Sequence, residues 1–235
     1  MVSSPTFAWS LFTSRSSGFF WRLLNPAGQH PNTVFSLGTS NFSMLVEGVT
    51  YTVQKELMSR YALQNLWEEL AHSSFVGPNT LKGTFQTTSG FGIYLTLAGL
   101  PRLRKMFPSL SDWFLQCGLM QERHSLLNAF YLNYLEVPPN REVHPHIDAT
   151  LGTLFDAEGL LPEWVSVVYL NELRWVRGGE LILKTATGPV VIKVKRGAMV
   201  CFRGDLCHGV SAWNPRMLSF NAPKKRCSMV CEQYS

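Results

Sequence analysis

The sequence predicts a mostly β protein with N-terminal helices (α+β), in which the helices come first and a jelly roll or antiparallel β-sandwich follows. The 235-residue chain is 46% hydrophobic and only 16% charged, which excludes an intrinsically disordered protein. Helical periodicity is confined to the first half of the chain. About eight short β-prone runs follow one another from residue 126 onward. The length suits one large domain with an N-terminal extension.

Residues 1–46 form a segment of distinct composition. This segment holds Arg15 and Arg22 but no Asp or Glu, and it is rich in Ser and aromatic residues. An acid-free, Ser-rich start resembles an organelle transit peptide, although no cleavage pattern accompanies it. The aromatic side chains equally suit an arm that packs on the domain. We therefore expect either a targeting segment or a packed arm here.

Residues 47–125 are predicted to form a helical support region. Residues 52–72 read as an amphipathic helix, because Leu and Tyr recur on one face with charges between them. Two shorter helices are predicted over residues 99–106 and 109–117. The stretch 77–92, which is rich in Gly, Thr and Ser, predicts a break between the first helix and these two.

Residues 126–235 are predicted to be the β domain. Gly, Pro or Asn residues separate several of the β-prone runs, as expected for strands joined by turns. Short strands at this spacing are typical of an antiparallel sandwich or jelly roll. The predicted strands are 129–136, 141–147, 164–171, 179–183, 189–194, 197–202, 207–212 and 216–221.

Charge, cysteine content and hydropathy narrow the class of protein further. The chain has net charge +5 and five Cys. A low and odd number of Cys argues against a disulfide scaffold and favours a reducing, intracellular compartment, with the cytoplasm as the first expectation. No uncharged apolar run reaches about 18 residues, so we expect no membrane-spanning helix. The one dense basic run, Lys224-Lys225-Arg226, is interpreted as a solvated surface patch, and nucleic acid is disfavoured as a partner.

His146, Asp148 and His208 form a candidate metal site. His146 and Asp148 are two residues apart on a predicted strand, so both side chains can point to one face. His208 opens a later strand that can lie across from them. Two imidazoles and one carboxylate make a facial triad, which holds Fe(II) and leaves coordination positions open. A zinc site built on Cys227 and Cys231 is less convincing, because these two Cys lack a second pair.

Arg216 is the predicted anchor of an anionic co-substrate. It lies eight residues after His208, at the start of the last predicted strand. A guanidinium stays charged at any working pH and can bind a carboxylate through two hydrogen bonds. Arg216 therefore supplies a predicted binding group for an anion, which complements the predicted metal triad.

Residues 126–222 resemble the Fe(II)- and 2-oxoglutarate-dependent dioxygenases, especially their prolyl 4-hydroxylase-like branch. The resemblance implies a double-stranded β-helix, which is a jelly roll and so agrees with the strand count. The matching segments occur in the family's order and are Tyr134 followed by His146-Ile-Asp148, Val-Val-Tyr169-Leu-Asn171, Gly178-Gly179-Glu180-Leu, Arg196-Gly197-Ala-Met-Val-Cys-Phe202 and Asp205-Leu-Cys-His208-Gly-Val.

The resemblance also implies roles for these residues. The triad would bind the iron, and Arg216 would pair with the far carboxylate of 2-oxoglutarate. Tyr169 matches a position whose phenol often hydrogen-bonds that carboxylate, and Tyr134 matches one that often lines the co-substrate pocket. The implied reaction consumes O2 and 2-oxoglutarate, with ascorbate as a reductant, and releases succinate and CO2 as a second substrate is oxidised. Asp148 favours hydroxylation, because the halogenases of this family replace that carboxylate with a small residue.

The substrate and the alternatives stay open at the level of sequence. A peptidyl residue, a free amino acid and a small metabolite all remain candidates, and residues 151–164 are predicted to form part of a substrate lid. Many family members carry Arg-x-Ser on the last strand, whereas Ser219 here falls on the other face from Arg216. The alternatives are a non-catalytic jelly-roll or cupin-like metal-binding module and a nucleic-acid demethylase of the same superfamily. Asn221 stands about where that demethylase would carry a second Arg.

Overall fold

A computed structural model describes most of the chain from residue 50 onward and one short N-terminal strand. The described residues are 21–23, 50–55, 57–79, 81, 83–118, 127–172, 176–193, 195–215 and 224–235. In chain order the elements are β1 (Trp21–Leu23), β2 (Tyr51–Gln54), α1 (Arg60–Ala71), β3 (Gly77–Pro78), β4 (Ser89–Thr96), α2 (Leu100–Met106), α3 (Pro108–Trp113), β5 (Ala129–Val137), β6 (Val143–His146), α4 (Thr150–Leu154), β7 (Trp164–Tyr169), β8 (Val176–Gly178), β9 (Leu181–Thr185), β10 (Gly188–Ile192), β11 (Met199–Arg203), β12 (His208–Val210), β13 (Trp213–Pro215) and β14 (Arg226–Tyr234).

Two antiparallel sheets face each other and enclose the interior of the domain. The larger sheet has eight strands in the order β1-β4-β5-β14-β7-β11-β2, with β3 paired to β4, and the smaller sheet has the order β10-β9-β12-β6. Among the strands that the structure describes, β1 alone pairs in parallel, with β4. Apolar side chains from both sheets pack together between them. The fold is the predicted one, a mostly β protein with N-terminal helices and a jelly-roll core.

The helices cover the outer face of the larger sheet. Leu66 and Leu70 of α1 and Trp113 of α3 are fully buried against apolar side chains of that sheet. The Glu69 carboxylate of α1 accepts hydrogen bonds from the backbone N–H groups of Ser109 (2.9 Å) and Leu110 (2.8 Å). These donors lie in the first turn of α3, where backbone N–H groups have no partner within the helix. Glu69 therefore fixes the two helices relative to each other.

The prediction of a helix over residues 52–72 is wrong at its N-terminal end. The helix begins at Arg60, because the Ser59 hydroxyl accepts a hydrogen bond from the backbone N–H of Ala62 at 3.1 Å and caps it. Residues 51–54 instead form β2 and pair with β11 at the edge of the larger sheet. Aromatic and β-branched residues favour an extended conformation there. Helices α2 and α3 confirm the two short helices predicted further along.

Seven of the predicted strands correspond to β5, β6, β7, β9, β10, β11 and β12. The strand predicted over residues 216–221 lies outside the described residues. Two long strands were not predicted, namely β4, which begins within the expected break at 77–92 and continues to Thr96, and β14 at 226–234. Strand β14 is hydrogen-bonded to β5 on one side and β7 on the other. It therefore occupies the middle of the larger sheet and forms part of the wall of the interior.

The region 47–125 supplies strands as well as helices, since β2, β3 and β4 all join the larger sheet. The boundary at residue 126 accordingly stays a prediction. None of the helices in the described ranges is long and apolar enough to span a membrane.

Candidate active site

The structure brings His146, Asp148 and His208 together at one end of the interior. His146 ends β6 and pairs directly with His208, the first residue of β12. Asp148 follows two residues after His146, and its carboxylate oxygens lie 3.3 Å from His146 Nε2 and 3.5 Å from His208 Nε2. One ligand atom from each residue falls within 4.8 Å of the other two. The three side chains can therefore coordinate a single metal ion.

Both histidines are oriented by their own backbone. His146 Nδ1 lies 2.8 Å from the carbonyl oxygen of His144, and His208 Nδ1 lies 3.0 Å from that of Leu206. A carbonyl oxygen only accepts, so Nδ1 carries a proton, and Nε2 is the nitrogen that offers a lone pair to a metal when the ring is neutral. In both residues Nε2 is the atom next to Asp148. This is the tautomer and orientation that a metal ligand needs.

The electrostatics of two of the three triad residues, Asp148 and His208, match the protonation states of metal ligands. Burial raises the pKa of Asp148, but the charge of His208 and the hydrogen bond from His146 outweigh burial and lower it. Burial lowers the pKa of His208, and the Asp148 charge offsets this only in part. Burial also lowers the pKa of His146, yet its hydrogen bond to Asp148 reverses the direction and raises it. A metal requires an ionised carboxylate and neutral imidazoles, and Asp148 and His208 already tend to those states.

A cavity of about 60 Å³ extends from the triad into the space between the sheets. Its walls are mostly apolar with a few polar groups, as in small-molecule sites generally. Leu81 and Phe85 close one side, and the Phe85 ring meets the His146 ring edge-on at 5.1 Å. Among the described residues, none of 151–164 lines this cavity. The lining residues are Leu81, Phe85, Asn133, Leu135, Val137, Val143, His146, Asp148, Thr150, Val167, Tyr169, Leu181, His208, Val210, Arg226, Ser228, Val230 and Glu232.

Arg226 and Tyr169 place unpaired polar atoms in this cavity. Arg226 is 4% exposed and Tyr169 is 2% exposed. Arg226 Nε and the Tyr169 hydroxyl have no hydrogen-bond partner among the described residues. The guanidinium also reaches the Gly179 carbonyl oxygen, at the long distance of 3.5 Å. Burial lowers the pKa of Arg226 and raises that of Tyr169. Unsatisfied buried donors are costly, so this pair is suited to a bound anion.

Glu232 is a second buried carboxylate in the cavity. It accepts hydrogen bonds from Thr150 Oγ1 at 2.6 Å, from the Thr150 backbone N–H at 3.2 Å and from the Tyr234 hydroxyl. Burial and the nearby Asp148 carboxylate raise its pKa to about 8. Arg226 begins β14, and Glu232 follows six residues later on the same strand. Of these two residues, Glu232 is the one that lies near the metal triad.

The three residues predicted to contact the co-substrate, Tyr169, Tyr134 and Arg216, have different outcomes. Tyr169 lines the cavity, and its hydrogen bond to the co-substrate stays a prediction. Tyr134 does not line the cavity, because successive residues of β5 alternate between faces and the cavity side is taken by Asn133 and Leu135. Tyr134 packs on the helix side, and its hydroxyl donates to Glu136 at 3.0 Å. Arg216 lies outside the described residues, so its assignment stays a prediction.

The interpretation of Lys224-Lys225-Arg226 as a solvated patch is wrong for Arg226, whereas Lys224 and Lys225 are exposed. Arg226 is buried in the cavity, and Lys225 Nζ lies 2.5 Å from the buried Glu136 carboxylate. The signal that would have found Arg226 is the alternation of residues 226–234. Arg226, Ser228, Val230 and Glu232 share one face of β14 and line the cavity, while Cys227, Met229 and Cys231 pack on the helix side.

No known family profile and no curated protein matches the sequence. Solved structures do match in fold. A prolyl 4-hydroxylase from Pseudomonas putida has a TM-score of 0.52 at 18% identity, covering 79% of this chain and 92% of that one. Prolyl 4-hydroxylase from Phytophthora capsici has a TM-score of 0.51 at 19% identity, covering 79% and 59%. A prolyl hydroxylase from Trichoplax adhaerens, solved with a peptide fragment of the hypoxia inducible factor oxygen degradation domain, has a TM-score of 0.50 at 11% identity, covering 79% and 83%.

These similarities show the fold. The chain has the jelly-roll fold of prolyl hydroxylases, and within that fold it carries a His-Asp-His triad. The sequence resemblance to this superfamily is thereby confirmed at the level of architecture. The identities of 11–19% leave the reaction to be argued from the site itself.

Proposed function

We propose that the protein is a non-haem Fe(II)- and 2-oxoglutarate-dependent dioxygenase of the hydroxylase type. The observation that carries the proposal is the presence, in one cavity, of a His-Asp-His triad together with a guanidinium Nε and a phenol hydroxyl that have no hydrogen-bond partner among the described residues. When iron and 2-oxoglutarate are bound, such a centre couples oxidative decarboxylation of the co-substrate to hydroxylation of a second molecule. Ascorbate would act only as a reductant that keeps the iron in the ferrous state.

The triad fits iron by the chemistry of its donors. Two neutral imidazoles and one carboxylate on one side of the ion are the ligand set of non-haem Fe(II) oxygenases. His146, Asp148 and His208 supply that set, and they face a cavity in which further ligands can approach. The unpaired Asp148 Oδ2 is consistent with this role, because it offers a buried acceptor for a cation.

Arg226 and Tyr169 fit the far carboxylate of 2-oxoglutarate. The guanidinium supplies charge and the phenol supplies a neutral donor, so a carboxylate would satisfy both unpaired groups together. The mostly apolar walls between this pair and the triad would exclude water from the co-substrate. We assign the anchor to Arg226 because it lies in the cavity, while the assignment of Arg216 rests on sequence spacing alone.

The proposed substrate is a peptidyl residue, a free amino acid or a small metabolite. The Trichoplax adhaerens enzyme of similar fold was solved with a peptide, which supports including peptides in any substrate panel.

The central test is anaerobic metal and co-substrate binding. Wild-type protein with Fe(II) and 2-oxoglutarate should give a weak visible charge-transfer band and should release succinate when O2 is admitted. His146→Ala and Asp148→Ala should lose both signals, because each removes a ligand. His144→Ala is the matched control, since its side chain is 68% exposed and lies on the same strand outside the cavity.

Two outcomes would contradict the proposal. Absence of both the band and succinate from wild-type protein would exclude the dioxygenase reaction. Metal binding without any effect of 2-oxoglutarate on thermal stability would favour the alternative, a non-catalytic jelly-roll metal-binding module, because a specific ligand raises stability by mass action.

A further inference from the structure

Asp148 differs from its partner histidines in what holds it in place. The strand β6 ends at His146, and the helix α4 begins at Thr150, so Asp148 lies in the short connection between them. Each histidine is fixed through Nδ1 by a backbone carbonyl group. Within the described ranges, the Asp148 carboxylate has ion-pair contacts with the two histidines, and its Oδ2 accepts no hydrogen bond. The backbone around Asp148 is therefore important for the position of this carboxylate.

That backbone is tied to β14 immediately after Asp148. Glu232 accepts from both the N–H and the hydroxyl of Thr150. The Tyr234 hydroxyl donates to Glu232 and accepts from the backbone N–H of Leu151 at 3.3 Å. We call Thr150, Glu232 and Tyr234 the β14 clamp.

The β14 clamp connects the two sheets at the metal end of the cavity. Asp148 directly follows β6, a strand of the smaller sheet. Glu232 and Tyr234 belong to β14, in the middle of the larger sheet. Glu232 is 2% exposed and Tyr234 is 1% exposed, so water does not compete for these hydrogen bonds. The side chains that hydrogen-bond Thr150 and Leu151 therefore come from the central strand of the larger sheet.

We propose that Glu232 is a positioning residue that holds the metal ligand Asp148 in place through Thr150. This inference rests on the proposed iron site and deepens it, since it identifies what preorganises the carboxylate ligand. Groups that orient metal ligands commonly contribute about 10- to 100-fold to metal affinity. Loss of the clamp should therefore weaken metal binding even though every ligand remains.

The test measures Co(II) binding, because Co(II) is stable in air and its visible absorption reports the arrangement of ligands. Thr150→Val removes the hydroxyl that donates to Glu232 while changing neither charge nor size greatly. It should raise the Co(II) dissociation constant by about tenfold and alter the visible spectrum at saturation. Thr150→Ser keeps the hydroxyl and should restore both the affinity and the spectrum of the wild type.

Glu232→Gln tests the other side of the clamp, because an amide nitrogen cannot accept, so the hydrogen bond that the Thr150 hydroxyl donates to Glu232 must be reversed or lost. The matched control is Glu136→Gln. Glu136 is also buried and also accepts from a tyrosine two residues away, but it lies on the helix side of the sheet. Glu232→Gln should weaken Co(II) binding by about 10- to 100-fold, and Glu136→Gln should leave it unchanged.

The outcomes separate this inference from the proposed function. If wild-type protein binds Co(II) and both Thr150→Val and Glu232→Gln bind it with unchanged affinity and spectrum, the clamp is refuted while the metal site stands. If the wild type binds no Co(II), the proposed metal site itself fails. Thermal unfolding of each metal-free variant shows whether the fold is intact. A spectral change at saturating Co(II) in a folded variant is an effect that general destabilisation would not produce.

Discussion

The guanidinium carbon of Arg226 lies 5.2 Å from the centre of the Tyr169 ring. The two residues are diagonal neighbours on adjacent strands, because Tyr169 of β7 pairs with Ser228 of β14. A cation at this distance from an aromatic face is attracted by the ring, and diagonal pairs of this kind are within reach of long side chains. The ring thus positions the guanidinium while Arg226 Nε and the phenol hydroxyl stay unpaired among the described residues.

Arg226→Ala should mainly weaken binding of 2-oxoglutarate. A hydrogen bond to a charged group contributes about 1.5–3 kcal/mol, so we expect about a 10- to 100-fold rise in the half-saturation concentration. The measurement is succinate release as a function of 2-oxoglutarate concentration. Arg203→Ala is a suitable control, because Arg203 is exposed and paired with Asp205 at the surface. The same measurement on Arg216→Ala decides between the two arginines, and a rise for Arg216 alone would refute the assignment of Arg226.

Tyr169→Phe isolates the contribution of the phenol hydroxyl. The substitution keeps the ring that contacts Arg226 but removes the donor, and a hydrogen bond to an ionised carboxylate contributes about 1.5–3 kcal/mol. We expect the half-saturation for 2-oxoglutarate to rise about 10- to 100-fold, with little change in turnover at saturating co-substrate. Tyr134→Phe should leave the half-saturation unchanged, because that hydroxyl lies on the helix side of the sheet.

Glu232 should make the stability of the metal-free protein depend on pH. Its folded-state pKa is raised from 4.5 to about 8, chiefly by burial. Between these values the folded state binds more protons than the unfolded state, so the free energy of unfolding falls as pH rises. Glu232→Gln should remove this dependence of stability on pH. The stability of the variant relative to the wild type should therefore be higher at pH 8 than at pH 5. Thermal unfolding at both pH values checks this, and an identical pH dependence in the two proteins would contradict it.

Gly90→Ala should destabilise the larger sheet. Gly90 has a φ of +149°, and an added Cβ would lie 1.8 Å from the backbone oxygen of Tyr134 on the neighbouring strand. The backbone must shift to relieve this overlap, which costs about 1–3 kcal/mol or more. Gly77→Ala is a close control, because Gly77 pairs directly with Gly90 but has open space around it. Denaturant unfolding should therefore show a loss of stability for Gly90→Ala alone.

The triad could be predicted from sequence because its chemistry is local and its residue types are distinctive. His146 and Asp148 are close in the chain, and His208 begins a strand whose pairing with β6 follows from the jelly-roll topology. The strands around them carry the usual apolar patterns, so their existence and order could also be predicted. The structure confirms this architecture in detail.

Arg226 and Glu232 were missed, because the alternation along residues 226–234 indicates a strand but does not show that its polar face lines the interior. The interior face of β14 carries charged and polar residues that line a polar end of the cavity, whereas sequence patterns assume that interior faces are apolar.

Strand β4 was missed for a related reason. Gly90 and Gly92 lie in its middle, and both are required by close neighbours, the Tyr134 carbonyl oxygen and the Tyr131 ring. When the neighbouring strand is unknown, a glycine within a β-prone stretch of sequence is interpreted as a turn.

The central place of β14 also has a consequence for synthesis of the protein on the ribosome. Strands β5 and β7 each pair with β14 along their length, yet β14 is translated after both of them. A nascent chain that ends before residue 226 must hold these two strands apart or pair them wrongly, and unpaired strand edges promote aggregation. We therefore expect ribosome-bound chains lacking β14 to depend on chaperones, and the metal site to be the last part of the domain to mature.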